Sequence, residues 1–310
     1  MSRCVVVVVD VGGTTIKSSA VQESGAQLWT SRTPTPSNDP AATRDAVLHA
    51  VEKAVAAASA HGETPSAVGL SVLGLVDEPA GVARFSAAVG WRDVPLRELV
   101  VERTGLPTAL VQDIRAGLLA ELTVGAAVGR QSVLYVALGT GLGTAFALDD
   151  RILRGQHGNA GELGHVTVAD NDRRCGCGRT GCLETEASAT GISTTYLEHT
   201  GIKADAHEIA RRARDGDAAA ATAWLRAAKA LGAGLATASA LLDPELIVLA
   251  GGVSLGGDLL LDPTRRALAE DYVLASPPPV ALTTLGDAGP LIGAAVACRQ
   301  LLATIAYDRT

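Results

Sequence analysis

The chain has 310 residues, 47% of them hydrophobic and 3% aromatic, with a formal charge of −7 and a pI near 5.4. That length predicts two domains with sizeable cores, and the apolar content excludes a disordered chain. The acidic balance, without any Lys/Arg run, excludes the usual nucleic-acid binder and points to small molecules or other proteins as partners. Residues 4–10 are a β-branched run ending at Asp10 and read as a buried strand. Its five valines fall short of the apolar stretch of about 7–15 residues in a secretory signal. No uncharged apolar run reaches the roughly 18 residues of a membrane helix, so a cytoplasmic protein without membrane contact is expected. A tight turn at 11–15 leads to a returning strand at 16–21. Asp39-Pro40 reads as an N-cap with a first-turn proline. The helix behind it carries an apolar stripe at Ala46, Val47, Ala50, Val51, Ala54, Val55 and Ala58 and ends at Gly62. Then come a strand at 68–73, a loop at 74–90, a helix at 94–102, a strand at 108–112 and a helix at 114–127.

The pattern restarts with a strand at 132–138, a glycine turn at 139–143 and a returning strand at 144–148, closed by Asp149-Asp150. Aligning 9–21 with 136–148 superposes Gly12 on Gly139, the mark of a duplicated domain. Helices follow at 187–198, 206–214 and 217–241, then a strand at 245–250, Gly251-Gly252, a helix at 257–271, a strand at 280–284 and a helix at 288–304. Alternating strands and helices make the fold class α/β. The expected division is 1–120 and 121–310, with the final helix packing back on the first domain.

Gly-rich turns bring backbone N–H groups close to phosphate oxygens, and Thr hydroxyls add donors. The turns at Gly12-Gly13-Thr14 and Gly139-Thr140-Gly141 suit that role, and equally suit plain tight hairpins. Neither fits the P-loop or the dinucleotide fingerprint, and no nucleophile elbow occurs. Asp10 can hold Mg²⁺ near phosphates or cap its own turn. His165, Cys175, Cys177 and Cys182, spaced H-x9-C-x-C-x4-C, have the N/S donors of a closed, structural Zn²⁺ site. Cys4 and Cys298, in apolar surroundings, read as core residues. Asp113, directly after a strand, can take a proton from an attacking hydroxyl or serve as an N-cap. Glu162 and Glu184 flank the metal loop at 165–184 and can accept hydroxyls of a polyol or form a solvated pair.

Together these motifs resemble the ROK family of sugar kinases and repressors, and within it the bacterial glucokinases. Asp10-Val11-Gly12-Gly13-Thr14-Thr15-Ile16-Lys17 and 138–143 are similar to its two phosphate motifs. Gly155, Gly158, Gly161, Glu162, Gly164 and His165 are similar to its G-x-x-G-x-x-G-E-x-G-H segment, and 175–184 to its zinc signature. Gly251 and Gly252 are similar to its adenosine-side motif. The resemblance implies an actin-like ATPase (ribonuclease H-like) fold, with two similar α/β domains closing around a central cleft. It implies transfer of the γ-phosphoryl of ATP, with Mg²⁺, to a hexose hydroxyl, foremost O6 of glucose. Asp113 would be the general base, and Gln112, Glu162, His165 and Glu184 would hold the sugar. Asp10, Gly12, Gly13, Thr14, Lys17, Gly139, Thr140 and Gly141 would face the phosphates, and Gly251 and Gly252 the adenosine. A homodimer or higher homo-oligomer is expected.

Three positions depart from the family pattern. Gln112 stands where Asn usually precedes the catalytic Asp. Ala88, near Gly90-Trp91, stands where an Asn usually touches the sugar. Thr144 and Ala145 stand in a run that more often continues with glycine. The first two bear on sugar identity, which leaves an N-acetylmannosamine or N-acetylglucosamine kinase and a non-catalytic sugar-binding protein as rival readings. The repressor branch is not expected, because the charge is acidic and the first strand begins at residue 4.

Overall fold

The computed structural model describes residues 4–36, 39–168 and 171–308. Met1, Ser2 and Arg3, part of the segment weighed against a secretory signal, lie outside them. Two compact units emerge: Met1–Thr123 with Arg154–Asn159 and Ala288–Thr310, and Val124–Leu153 with Ala160–Asp287. The first unit opens with β1 (Val5–Val11), β2 (Thr15–Gln22), β3 (Gln27–Pro34) and α1 (Pro40–Ala60). It continues through β4 (Pro65–Val72), β5 (Leu75–Asp77), β6 (Val82–Ser86), β7 (Trp91–Val94), α2 (Leu96–Thr104), β8 (Thr108–Gln112) and α3 (Asp113–Val124). The second contains β9 (Val133–Leu138), β10 (Leu142–Leu148), β11 (Arg151–Ile152), α4 (Glu184–Ala187), α5 (Ala189–Thr200), α6 (Ala206–Arg214) and α7 (Ala218–Leu242). β12 (Leu246–Ala250), α8 (Asp258–Asp271) and β13 (Val280–Leu282) complete it. The chain then returns to the first unit as α9 (Gly289–Tyr307).

The self-similarity of 9–21 and 136–148 has its structural counterpart in two sheets of one design. Their orders are β3-β2-β1-β4-β8 and β11-β10-β9-β12-β13. Each is built on an antiparallel hairpin around a glycine turn, followed by two parallel strands. A central strand covered on both faces needs apolar side chains at every position, which is why β1 is a valine run. Val7, Val9 and Val11 pack with Val47, Val51 and Ala54 of α1. Val6 and Val8, on the opposite face, pack with Leu291, Ala294, Ala295 and Cys298 of α9. Gly69 of β4 lets α9 sit close, since a Cβ there would collide with the Ala294 carbonyl. Gly286–Tyr307 is long and apolar enough to cross a membrane, but here α9 lines the sheet of the first unit. The core of the second unit joins Leu134 and Val136 of β9 and Leu249 of β12 to Trp224, Leu231 and Leu235 of α7.

The elements differ from the sequence reading in three places. β3 is polar, largely exposed and at the sheet edge, so it carries no hydrophobic alternation to read. The supposed loop 74–90 contains the short antiparallel strands β5 and β6, and β7 follows it. The expected helix at 187–198 is interrupted by the extended Ser188, whose side chain accepts from Gly191 N and starts α5.

Asp39 caps α1 as the sequence suggests, its Oδ1 accepting from Ala41 N at 3.0 Å and Ala42 N at 2.9 Å. Asp39→Ala is expected to cost about 1 kcal/mol, read as a lower urea midpoint with an unchanged m-value.

Candidate active site

In the first unit, β1 ends at Asp10 and the Gly12-Gly13-Thr14 turn carries the chain into β2. Thr35 Oγ1 donates to Gly12 O at 2.7 Å and Thr35 N to Thr14 O at 3.0 Å, bracing the turn from the residue just after β3. The amides of Gly13 and Thr14 make no hydrogen bond among the described residues. Asp10 is buried; its Oδ1 accepts from Ser71 Oγ at 2.9 Å, and Lys17 Nζ lies 3.5 Å from its Oδ2. Asp10 thus offers one carboxylate, the type of oxygen donor that Mg²⁺ takes, with the Lys17 ammonium beside it. Ala88 lies against the same turn: a Cβ on Gly13 would come 3.6 Å from the Ala88 Cβ.

Asp113 sits where β8 passes into α3. Its Oδ1 accepts from Ile114 N at 3.0 Å and from Gln112 Nε2 at 2.8 Å. Burial, and then the negative charge of Asp10, push its pKa up to about 7. The group is thus poised to change charge near neutral pH, as a general base requires. The Gln112 carboxamide is largely committed inside the protein, since its Oε1 also accepts from Arg115 N at 3.0 Å. Sequence reasoning passed over Glu78, which is buried beside this junction and accepts from Gln112 N at 3.1 Å.

In the second unit, the Gly139-Thr140-Gly141 turn links β9 and β10. It is held by Ala189 N donating to Gly139 O at 2.9 Å and Thr190 Oγ1 to Thr140 O at 2.7 Å. Glu184 Oε2 accepts from Leu142 N at 2.9 Å and lies so close to Gly141 that any Cβ there would collide with it. Thr144, one of the departures from the family pattern, donates its hydroxyl to Gly161 O and so steadies the residue before Glu162. A cavity of about 390 Å³ is lined by Thr140, Thr190, Ser193, Thr194, Lys203 and Asp205. Gly251 (φ +82°) follows β12 where a Cβ would strike the Leu138 backbone, and Ser254 Oγ donates to Gly251 O at 2.7 Å.

The four proposed metal ligands converge, with all ligand atoms within 4.8 Å of one another. Cys175 Sγ lies 3.7 Å from His165 Nδ1, and Cys177 Sγ 3.6 Å from Cys182 Sγ. Tetrahedral zinc, with bonds near 2.3 Å to sulfur and 2.0 Å to nitrogen, separates its ligands by about 3.5–3.8 Å, so the donor set fits. Burial pushes the Cys182 thiol up to about 12 and raises that of Cys175. Both would stay protonated near neutral pH unless a cation drew the protons off. The other ring nitrogen, His165 Nε2, faces Glu162 Oε2 at 3.8 Å, and Glu184 Oε1 lies 3.7 Å from Cys175 Sγ. One loop therefore carries the metal ligands, the two candidate sugar-binding carboxylates and a brace for the phosphate turn.

Residues 6–300 match the model of the ROK family. The chain is 33% identical to the glucokinase of Streptomyces coelicolor, over 94% of this chain and 96% of that one. Among solved structures, the ROK hexokinase from Thermus thermophilus aligns with a TM-score of 0.81 at 34% identity, covering 97% of this chain and 99% of that chain. The ROK family glucokinase from Streptomyces griseus, in complex with glucose and AMPPNP, aligns with a TM-score of 0.83 at 32% identity, covering 96% and 99%. With motifs, repeated sheets and near full-length similarity in agreement, the chain belongs to the ROK family and has its actin-like ATPase fold.

Proposed function

We propose that this protein is a glucokinase, transferring the γ-phosphoryl of ATP to O6 of glucose. The observation that carries the reading is Asp113, a carboxylate at the β8–α3 junction whose pKa is lifted to about 7. Asp113 takes the proton of the attacking hydroxyl as the new O–P bond forms and the bond to the ADP oxygen breaks. Glu162, Glu184 and His165 Nε2 accept hydrogen bonds from sugar hydroxyls. The amides of Gly13, Thr14, Thr140 and Gly141 receive phosphate oxygens, and the cavity beside Thr140 takes the nucleoside. Asp10 would hold Mg²⁺, which would supply charge neutralisation at the phosphates. His165, Cys175, Cys177 and Cys182 would hold a structural Zn²⁺ whose bonds would fix the loop.

A coupled ADP-release assay over glucose, mannose, fructose, allose, N-acetylglucosamine and N-acetylmannosamine tests the proposal. Glucose is expected to show the highest kcat/KM. A higher value for an N-acetylhexosamine would shift the assignment to that class, where Ala88 in place of Asn leaves room beside the phosphate turn. No turnover with any sugar would rule out kinase activity.

A further inference from the structure

Glu78 follows β5 in the first unit and has a side chain only 7% exposed. Its carboxylate gathers three donors from two other segments. Oε1 accepts from Arg115 Nε at 2.7 Å and Gln112 N at 3.1 Å, and Oε2 from Arg154 Nε at 2.5 Å. Arg115 is itself buried; its Nη1 donates to Gly158 O at 3.1 Å, and its Nη2 has no partner among the described residues. Gln112, whose N–H enters Glu78, takes Arg115 N on its Oε1 and presents its Nε2 to Asp113. A continuous set of hydrogen bonds thus runs from Glu78 to the carboxyl of Asp113.

We infer that Glu78 is a positioning residue for the base: through Gln112 and Arg115 it fixes where the Asp113 carboxyl points. This rests on the assignment of Asp113 as the base. Other charged groups of this unit around the junction are Asp10 of β1 with its partner Lys17 of β2, Arg97 of α2 on the Glu78 and Pro79 carbonyls, and the Asp77–Arg84 pair. Glu78, Arg84, Arg115 and Arg154 line a pocket of this unit that also carries His157.

Two substitutions of opposite charge effect test it. Glu78→Gln keeps the shape and removes a negative charge, so Asp113 ionises more readily and the acidic limb of kcat moves to lower pH. Arg154→Gln, at an exposed side chain, removes a positive charge and moves that limb to higher pH. Misplacement of the base is expected to lower kcat about tenfold in E78Q and by less in R154Q, with the sugar KM within about twofold of wild type. Carboxyl-carbon NMR of the aspartate-labelled full chain, with the Asp113 resonance assigned from D113N, reads the same two shifts without turnover. Opposed shifts support the inference. A folded E78Q with unchanged kcat and titration overturns it, as does a fall in kcat without any movement of the limb or resonance. Should E78Q not fold, R154Q decides: a lowered kcat at unchanged sugar KM together with an upward shift supports, and an unchanged kcat overturns. Failure of the kinase reading is separate, because it would show as a wild-type chain that phosphorylates no sugar while the NMR arm still reports.

Discussion

Asp113→Asn is expected to lower kcat by about 10²–10⁴-fold while leaving binding of ATP and sugar within a few fold. Asparagine preserves the acceptor for Ile114 N and Gln112 Nε2 at 3.0 and 2.8 Å, so the junction stays built and only the proton acceptor is lost. A carboxylate accepts a proton only when ionised. Activity should therefore rise with pH through about 7 and level off above it. The same carboxyl also affects stability, with a definite sign. Its folded pKa lies above the ordinary value of 3.8, so the folded state holds the proton more tightly than the unfolded chain. Stability from this group is full below 3.8, declines as pH rises toward 7, and is gone above that. D113N, uncharged throughout, should thus be more stable than the wild type at pH 8, and the gap should close toward pH 4. Urea midpoints at the two pH values check this; an N variant that is less stable at pH 8 would remove the electrostatic account of Asp113.

Cys182→Ser is expected to abolish metal retention and to lower stability by on the order of 4 kcal/mol, with a matching collapse of kcat. Cys182 is fully buried and its neighbours in sequence include Glu184, which braces Leu142 behind the second phosphate turn. Loosening the loop therefore disturbs the proposed sugar acceptors and the brace of the Gly139-Thr140-Gly141 turn together. Elemental analysis should find about one zinc in the wild type and none in the variant, whereas Cys4→Ser should keep its metal. A zinc-free wild-type chain with full activity would defeat the metal assignment.

Features of the sequence that are local or periodic were legible. The valine run, the glycine turns, the Asp39 cap and the Cys/His spacing each state their structure through burial, backbone freedom or ligand chemistry. What escaped depends on partners far along the chain. β3 is held by edge hydrogen bonds rather than by apolar side chains. Glu78 looks like any surface acid until folding brings Arg115 and Arg154, 37 and 76 residues away, onto its carboxylate. Gln112 stands at a position expected to touch sugar, yet its amide is turned toward Asp113 and Arg115. The role of Thr144 likewise becomes visible only with Gly161 beside it.

The seating of α9 on β1 and β4 has a consequence for biosynthesis. Strands that leave the ribosome first have one apolar face, with Val6, Val8 and Ala67, whose cover arrives only with Leu291, Ala294, Ala295 and Cys298. Translation of the intervening second unit, at about 5–20 residues per second, leaves that face open for on the order of ten seconds. The unit synthesised first is thus the last to be completed, and it carries Asp113. A nascent chain arrested before α9 cannot close this core, so the sheet of the first unit is covered on both faces only after α9 has emerged.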